Sequence, residues 1–211
     1  MTVVFGTLGF TPEKLVPTVT KHTNVTKLVF FHDKDARGKA AAKRVKQFCK
    51  DRGLAAEAHE VNAFDILECA RQMRRAMKPY AREEIIFNLT GGTPVISSAA
   101  TLVCILEGVR AVYIHEETKA EVSLPLLTIR YDAILNDAQR RVLRHVAESK
   151  QRACTQADIV RALKLSPSTV SYHVKNLCNQ QLLHAEEDPK DTRSLRLRIL
   201  PSATLLLEDA A

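Results

Sequence analysis

The feature that most constrains the fold of this chain is a change of sequence pattern near residue 130. Up to Arg130, short apolar runs alternate with longer amphipathic segments, which is typical of βα units around a mostly parallel sheet. After Tyr131, helical periods follow one another and end in a strand pair. The pattern predicts an α/β domain over residues 1–131 and a smaller winged helical domain over residues 132–211.

Six strands are predicted in the first domain, at about 2–6, 26–32, 55–61, 84–89, 110–115 and 122–129. Helices are expected at about 12–21, 35–52, 65–78 and 94–107. The connection between the last two strands is too short for a crossover, so the sixth strand is expected to pair antiparallel with the fifth. If the sheet is doubly wound in the order 3-2-1-4, the first and fourth strands are neighbours, and ligands bind at their carboxyl ends.

Two similar turns follow these two strands. The first turn reads Phe5-Gly-Thr-Leu-Gly-Phe-Thr-Pro12, and the second reads Asn88-Leu-Thr-Gly-Gly-Thr-Pro94. Gly91 and Gly92 allow a positive φ or a close backbone approach, and Thr-Pro is typical of a helix start. The unpaired N–H groups of such a start attract phosphates. Two turns side by side therefore predict a site for a phosphodiester, although a tight strand-to-helix connection also needs glycine.

The known phosphate loops fit this chain poorly. Gly6-Thr-Leu-Gly9 does not give G-x-G-x-x-G, and no G-x-x-x-x-G-K-[ST] occurs, so a dinucleotide cofactor and NTP hydrolysis are both disfavoured. Asp33, after the second strand, is either a ribose contact or a cap of the next helix.

Composition narrows the class of partner and the cellular location. The net charge of +7 suits a partner that carries phosphates. The five cysteines are far apart without a C-x-x-C pair, which predicts reduced, mostly buried thiols and no metal site. No apolar run has the length of a membrane span, and the first residues lack the pattern of a signal peptide, so we expect a cytoplasmic protein without a membrane partner.

The residues of the first domain resemble the CRISPR-associated Rossmann fold (CARF) domains, and the order of domains is similar to that of archaeal regulators in which a CARF domain is fused to a winged helix. The resemblance rests on the two turns and on the domain order, and it covers nearly the whole chain. It implies a Rossmann-like fold and a homodimer that binds a cyclic oligoadenylate, with cyclic tetra-adenylate as the expected ring, and no cofactor. The motifs carry over onto these pocket residues: Gly6, Thr7, Leu8, Gly9, Phe10, Asn88, Thr90, Gly91, Gly92 and Thr93.

Additional charge and chemistry are expected around this pocket. Lys34, Arg37 and Lys39 follow the second strand and are candidates for its rim. Some CARF domains cleave their ligand slowly through the ribose 2′-hydroxyl, and Thr7 or Thr90 with a nearby lysine is a candidate for assisting that reaction. The sequence shows no dedicated general base, because His32 and His115 end strands and are expected to pack or cap.

The second domain contains a pattern that resembles the helix-turn-helix of the MarR and ArsR types. Helices are predicted at about 135–149, 155–163 and 167–180, with Thr155 and Ser166 as N-caps. In the third helix, Val170, Val174 and Leu177 share one face and should pack inward. The opposite half and the wing supply the candidate DNA contacts, namely Ser168, Thr169, Ser171, Tyr172, Lys175, Lys190 and Arg193.

Together these features predict a dimeric transcription regulator that binds double-stranded DNA and responds to a cyclic oligoadenylate in CRISPR-Cas immunity. Three alternatives stay open. In the first, the protein is a ring nuclease and the winged helix is its scaffold. In the second, it senses another nucleotide in the same crevice, and in the third the winged helix serves only protein contacts.

Overall fold

The computed structural model describes residues 1–126, 134–149, 154–188 and 191–207, with the side chains of residues 188 and 191–193 outside that description. The chain divides into two compact units, Met1–Arg130 and Tyr131–Ala211. The boundary predicted between residues 131 and 132 falls on residues outside the description.

The first unit is built on a six-stranded sheet in the order β3-β2-β1-β4-β5-β6. The first five strands run parallel, and β6 pairs antiparallel with β5. This arrangement confirms both the predicted α/β class and the predicted neighbourhood of the first and fourth strands. The strands are β1 (Thr2–Leu8), β2 (Val25–Asp33), β3 (Ala55–Val61), β4 (Glu84–Asn88), β5 (Arg110–Ile114) and β6 (Glu121–Ser123).

The sixth strand is shorter than predicted. It spans Glu121–Ser123 and so covers two residues of the 122–129 range, of which residues 127–129 lie outside the description. The side chain of Glu121 is only 1% exposed, and its Oε1 lies 3.1 Å from His22 Nε2 and 3.3 Å from Lys21 Nζ. These ion pairs attach the edge strand to the end of the first helix, at Lys21 and His22.

Helices cover both faces of this sheet, so all seven residues of β1 are buried, as expected for a central parallel strand. Phe5 and Phe87 pack on one face, whereas Val4, Leu28 and Phe30 pack on the other face with Leu15. The helices are α1 (Val16–Lys21), α2 (Ala36–Asp51), α3 (Ile66–Met77) and α4 (Pro94–Glu107).

The helix predicted at 12–21 is divided in two. A 3-10 turn spans Pro12–Lys14, and α1 begins only at Val16. Pro17 explains the division, because proline lacks a backbone N–H group and its ring would clash with the carbonyl four residues earlier in a continuous α-helix. The short 3-10 turn places Lys14 beside the ends of β1 and β4.

The second unit is a winged helix-turn-helix, which confirms the predicted class. Three helices, α5 (Asp137–Glu148), α6 (Gln156–Leu163) and α7 (Pro167–Asn179), lie close to their predicted positions. The sheet has the order β7-β9-β8, with β7 (Cys154–Thr155), β8 (Leu183–Asp188) and β9 (Asp191–Ile199). The short β7 and a final helix, α8 (Pro201–Leu207), were not predicted.

Helix starts in this unit follow their local sequence. Thr155 and Asp158 form a reciprocal capping box, and Ser166 accepts a hydrogen bond from Thr169 N, as predicted. The strict alternation of residues 194–200 predicts that Leu195, Leu197 and Ile199 face a core; Leu197 is buried, but Leu195 is 37% exposed, which contradicts that prediction. Leu195 lies opposite Glu187, towards the tip of the wing.

All five cysteines are free, and four of them are buried: Cys49, Cys69, Cys104 and Cys154. This confirms the expectation of reduced, mostly buried thiols. Burial raises the pKa of Cys104 to about 12, and burial with nearby carboxylates raises that of Cys69 to about 11. Within the described residues, no three His, Cys, Asp or Glu side chains are grouped so as to hold a metal, and no helix has the length and apolar character needed to cross a membrane.

Candidate functional site

The two predicted turns meet at one end of the sheet. Strands β1 and β4 are in register with Gly6 beside Asn88, so the turns that follow them begin at the same edge. Between them lies an open cleft of about 170 Å³. Its lining residues are Leu8, Gly9, Phe10, Thr11, Lys14, Asp33, Gly38, Thr90, Gly91, Gly92, Thr93 and Ile96.

The turns touch through their glycines. A Cβ atom added to Gly91 would lie 2.3 Å from Thr7 O and 2.8 Å from Gly9 N, and one added to Gly9 would lie 2.9 Å from Gly92 N. Gly92 has a φ of +85°, which glycine adopts without strain. Close backbone approach is therefore a structural requirement at this place, and it leaves the turn backbone beside the cleft.

Gly6 has a different role from the other turn glycines. It lies within β1, and an added Cβ atom would lie 2.5 Å from Leu15 Cδ2. Its small size therefore admits a core side chain, and Gly6 does not line the cleft. Thr7 is also buried, and its hydroxyl donates to Asn88 O at 3.5 Å.

Asn88 supports the second turn from inside the protein. Its amide nitrogen donates to Lys14 O at 3.0 Å and to Thr18 Oγ1 at 2.8 Å. Its amide oxygen accepts bonds from the backbone N–H and the hydroxyl of Thr90. Asn88 is fully buried, so its side chain holds the turn in place and does not face the cleft.

Thr90 lines the cleft, but its hydroxyl is also used internally. It donates to Asn88 Oδ1 and accepts from Ile114 N at 2.7 Å. Of the two histidines considered at strand ends, His32 Nδ1 is bonded to Asp33 O, and His115 Nδ1 accepts from Thr118 N. All four candidates are therefore hydrogen-bonded within the protein in this conformation, namely Thr7, Thr90, His32 and His115.

Helix α4 begins at the floor of the cleft. Thr93 caps it by accepting a bond from Ile96 N, and Pro94 is its first residue, as predicted. Ser97 Oγ donates to Gly91 O at 2.8 Å, which fixes the glycine turn onto the first turn of the helix. The positive end of the helix dipole therefore lies beside a cleft lined by backbone, an arrangement that favours an anion.

Phe10 is held at the mouth of the cleft by helix α2. Its side chain is 56% exposed, the guanidinium of Arg37 lies 5.6 Å from its ring centroid, and Arg44 donates to its carbonyl oxygen at 2.8 Å. Lys34 and Arg37 are exposed and do not line the cleft, and Lys39 is paired with Glu60 at 3.4 Å.

Two charged lining residues were absent from the predicted site, Lys14 and Asp33. The ammonium of Lys14 lies 3.0 Å from Glu116 Oε1, and the hydrogen bond from Lys14 lowers the pKa of Glu116. No local sequence pattern indicates Lys14, because the break in the predicted helix at 12–21 is what places it here. Asp33 was considered only as a ribose contact or a cap.

A second candidate surface lies on helix α7. Val170, Val174 and Leu177 are buried, which confirms the predicted inner face. Four of the candidate DNA contacts are exposed, and they are Ser168, Ser171, Tyr172 and Lys175.

The remaining candidates on this surface differ in their placement. Thr169 is half-buried, with its hydroxyl 2.7 Å from Ser166 Oγ, and the neighbouring His173 is buried. Lys190 lies outside the described residues, as does the side chain of Arg193. Arg161 on α6 is an exposed cation that was not predicted as a contact, and its side chain is bonded to Asp158.

Comparison with known protein families assigns a model to each unit. The model for the Csa3 CRISPR-associated Rossmann-like domain matches residues 2–125, and a MarR family model matches residues 135–194. Among curated proteins, no sequence matches this chain.

Similar solved structures match about one third of the chain. The S. aureus MepR–DNA complex is 29% identical, with 37% of this chain and 57% of that chain covered at a TM-score of 0.34. Bordetella bronchiseptica BpsR, whose DNA binding is regulated by 6-hydroxynicotinic acid, is 31% identical, with 37% and 58% covered at 0.33. The chain spans little more than half the length of these structures.

Proposed function

Because the chain belongs to the Csa3 family of CRISPR-associated Rossmann-like domains and continues into a MarR-type winged helix, we propose that it is a transcription regulator whose DNA binding responds to a nucleotide ligand. The ligand we propose is a cyclic oligoadenylate, and the regulator acts as a homodimer on double-stranded DNA in CRISPR-Cas immunity.

The observation that carries this proposal is the contact of two glycine turns at the carboxyl ends of β1 and β4. The contact leaves a cleft bordered by turn backbone and by the start of helix α4. Backbone N–H groups and a helix N-terminus bind phosphate oxygens without the need for many cationic side chains. A phosphodiester ligand therefore suits this cleft better than an apolar ligand does.

A cyclic ligand is supported by symmetry. A ring of identical nucleotides has a two-fold axis when it has an even number of units, and an isologous dimer presents the same donors twice across such an axis. Each protomer would then bind half of the phosphates. MarR-type winged helices bound as a dimer would likewise match a palindromic DNA site.

The DNA-binding half of the proposal is supported by the exposed face of α7. Serine hydroxyls, the Tyr172 ring and the Lys175 ammonium lie opposite a buried Val and Leu face. Such side chains donate to base edges and phosphates, and Tyr172 can also contact a thymine methyl group. Lys175 supplies charge for the DNA backbone.

The proposal is tested by titrating labelled promoter DNA with the full chain, with and without cyclic tetra-adenylate, at about 0.15 M ionic strength. A ligand changes DNA affinity only if it binds the DNA-competent state with a different affinity, so we expect two distinct isotherms. Identical isotherms would reject the coupling. Tyr172→Ala is the matched control, because it should weaken DNA binding and leave ligand binding unchanged.

The same reagents distinguish the open alternatives. Linear products after incubation with cyclic tetra-adenylate would identify a ring nuclease. Mass spectrometry of ligand released from the purified protein would identify a different nucleotide. Ligand binding without any DNA binding would indicate that the winged helix serves protein contacts.

A further inference from the structure

The cleft is lined by one positive and one negative side chain, and an anionic ligand would change the contacts of the positive one. Of the described residues that line it, only Lys14 carries a positive charge and only Asp33 a negative one. A phosphate entering the cleft would therefore meet one nearby ammonium group. That ammonium is already occupied, because it is bonded to Glu116 Oε1 at 3.0 Å.

The backbone of Lys14 is fixed whereas its side chain has room to move. Lys14 N donates to Thr11 O at 3.3 Å, and Lys14 O accepts from Asn88 Nδ2 at 3.0 Å. Asn88 also holds Thr90, so the position of Lys14 is tied directly to the second turn. The side chain is 35% exposed, and its four-carbon stem allows the ammonium to exchange partners about a fixed backbone.

Glu116 presents its carboxylate from a hydrogen-bonded turn between β5 and β6. His115 N donates to Ala120 O at 2.8 Å, and Lys119 Nζ donates to Glu116 O at 2.6 Å. The Glu116 side chain is 79% exposed, so the ion pair is screened by solvent and contributes little net stability. Because the pair is exposed and screened, Lys14 can exchange this carboxylate for a phosphate at little cost in free energy.

We propose that Glu116 holds the ammonium of Lys14 in the absence of ligand, and that a ligand phosphate displaces this carboxylate and binds Lys14. The inference rests on the proposed function in that the ligand must carry phosphate groups. Displacement removes one tie between the β5–β6 turn and the segment after β1, made by residues 102 positions apart in sequence, while the pairs of Glu121 with Lys21 and His22 remain. Lys14 thereby joins the ligand-binding residues, and Glu116 acts as an internal competitor.

The test compares two substitutions that should act in opposite directions. With cyclic tetra-adenylate as the probe in calorimetric titrations, Lys14→Met should weaken binding about tenfold or more, because a charge-assisted hydrogen bond is lost. Glu116→Gln should tighten binding by up to about fivefold, because the competing carboxylate is gone. The gain from Glu116→Gln should vanish in the Lys14→Met background.

Charge-matched controls come from the same domain. Glu117→Gln changes the net charge equally on the same turn, and Lys43→Met removes an exposed lysine of α2 that does not line the cleft. Both should leave affinity unchanged within about twofold. Weaker binding by both Lys14→Met and Glu116→Gln would indicate a structural ion pair and overturn the inference.

A second measurement follows the carboxylate itself. Lys14 lowers the pKa of Glu116 in the free protein, so side-chain carboxylate NMR should show this pKa rising towards its ordinary value when ligand binds. An unchanged pKa would overturn the displacement.

Inorganic pyrophosphate is the second probe. If pyrophosphate displaces Glu116 but cyclic tetra-adenylate does not bind, the exchange at Lys14 is upheld and the proposed ligand is rejected. If neither probe binds, the exchange and the proposed ligand are both rejected.

Discussion

The absence of a side chain at Gly91 allows the two turns to approach each other closely. Its place against Thr7 O and Gly9 N leaves no space for a methyl group, and both neighbours are backbone atoms that cannot turn away. The cleft is therefore shaped by main-chain packing, and its form depends on residues that offer no side chain to a ligand.

We expect Gly91→Ala to destabilise the first domain by about 1–3 kcal/mol, as overpacking of a close contact does, and to abolish cyclic tetra-adenylate binding. Urea denaturation followed by circular dichroism measures the first effect. Gly53→Ala is the control, because Gly53 has a φ of +64° but nothing within 4 Å of an added Cβ atom. It should cost about 1 kcal/mol through backbone strain alone and spare ligand binding. Equal effects of the two substitutions on binding would contradict this account of the cleft.

Phe10 provides a second residue-scale prediction. Its ring is exposed at the cleft mouth and held by Arg37, so it is positioned to stack on a nucleobase of the proposed ligand. Phe10→Leu should weaken cyclic tetra-adenylate binding by about 1–3 kcal/mol, the range measured for base stacking on aromatic side chains. Phe64→Leu is the matched control, since Phe64 is 89% exposed but does not line the cleft.

At the scale of elements, helix α6 shows how local sequence fixes a boundary. Thr155 Oγ1 accepts from Asp158 N, and Asp158 Oδ2 accepts from the N–H and the hydroxyl of Thr155. These bonds satisfy donors that the first turn of a helix otherwise leaves unpaired. The hydroxyl of Thr155, followed by its backbone N–H, lowers the pKa of Asp158.

Thr155→Ala should therefore cost about 1 kcal/mol of stability at neutral pH. Because the folded-state pKa of Asp158 is lowered, its contribution is present above the unfolded pKa of about 3.9 and is lost as pH falls through the folded value. The difference between wild type and variant should thus shrink in acid. Urea denaturation at neutral and acidic pH measures both, and a constant difference would show that Asp158 is not involved.

The helices and strands also show which parts of the fold could be predicted from the sequence. Periodicity placed the strands and the inner face of α7, because those patterns reflect burial of near neighbours in sequence. It failed at Lys14, where Pro17 divides the predicted helix, and at Asn88, which faces inward towards Lys14 and Thr18. The contact of Lys14 with Glu116 joins positions 102 residues apart, and no local pattern encodes such a pair. The two turns lie side by side at the sheet edge as predicted, while Gly6 and Thr7 are buried and do not line the cleft between them.

At the scale of the whole molecule, the proposed regulator has a defined stoichiometry. A ring shared across a two-fold axis requires one ligand for every two chains. Calorimetric titration with cyclic tetra-adenylate should give about half a ligand per chain, and light scattering should give twice the chain mass of 23.5 kDa. A ratio of one ligand per chain would exclude a shared site.

The salt dependence of DNA binding is a further property of the whole regulator. Lys175→Ala should weaken binding about equally for all sequences if its ammonium contacts a phosphate, and should reduce the slope of log affinity against log salt by about 1 per chain. Filter binding or anisotropy at several salt concentrations measures the slope. A loss confined to one base position would instead assign Lys175 to base reading.

The rate at which the buried cysteines react reports how often each unit of this protein opens. Burial raises the pKa of the Cys104 thiol to about 12, so this thiol is almost entirely protonated at neutral pH, and alkylating reagents react with thiolates. Modification of Cys104 must therefore wait for the first unit to open, whereas Cys154, which is buried in the second unit, reports on that unit. The rate of labelling at each position, followed by mass spectrometry, would time the opening of each unit in the native chain, with no probe attached beforehand.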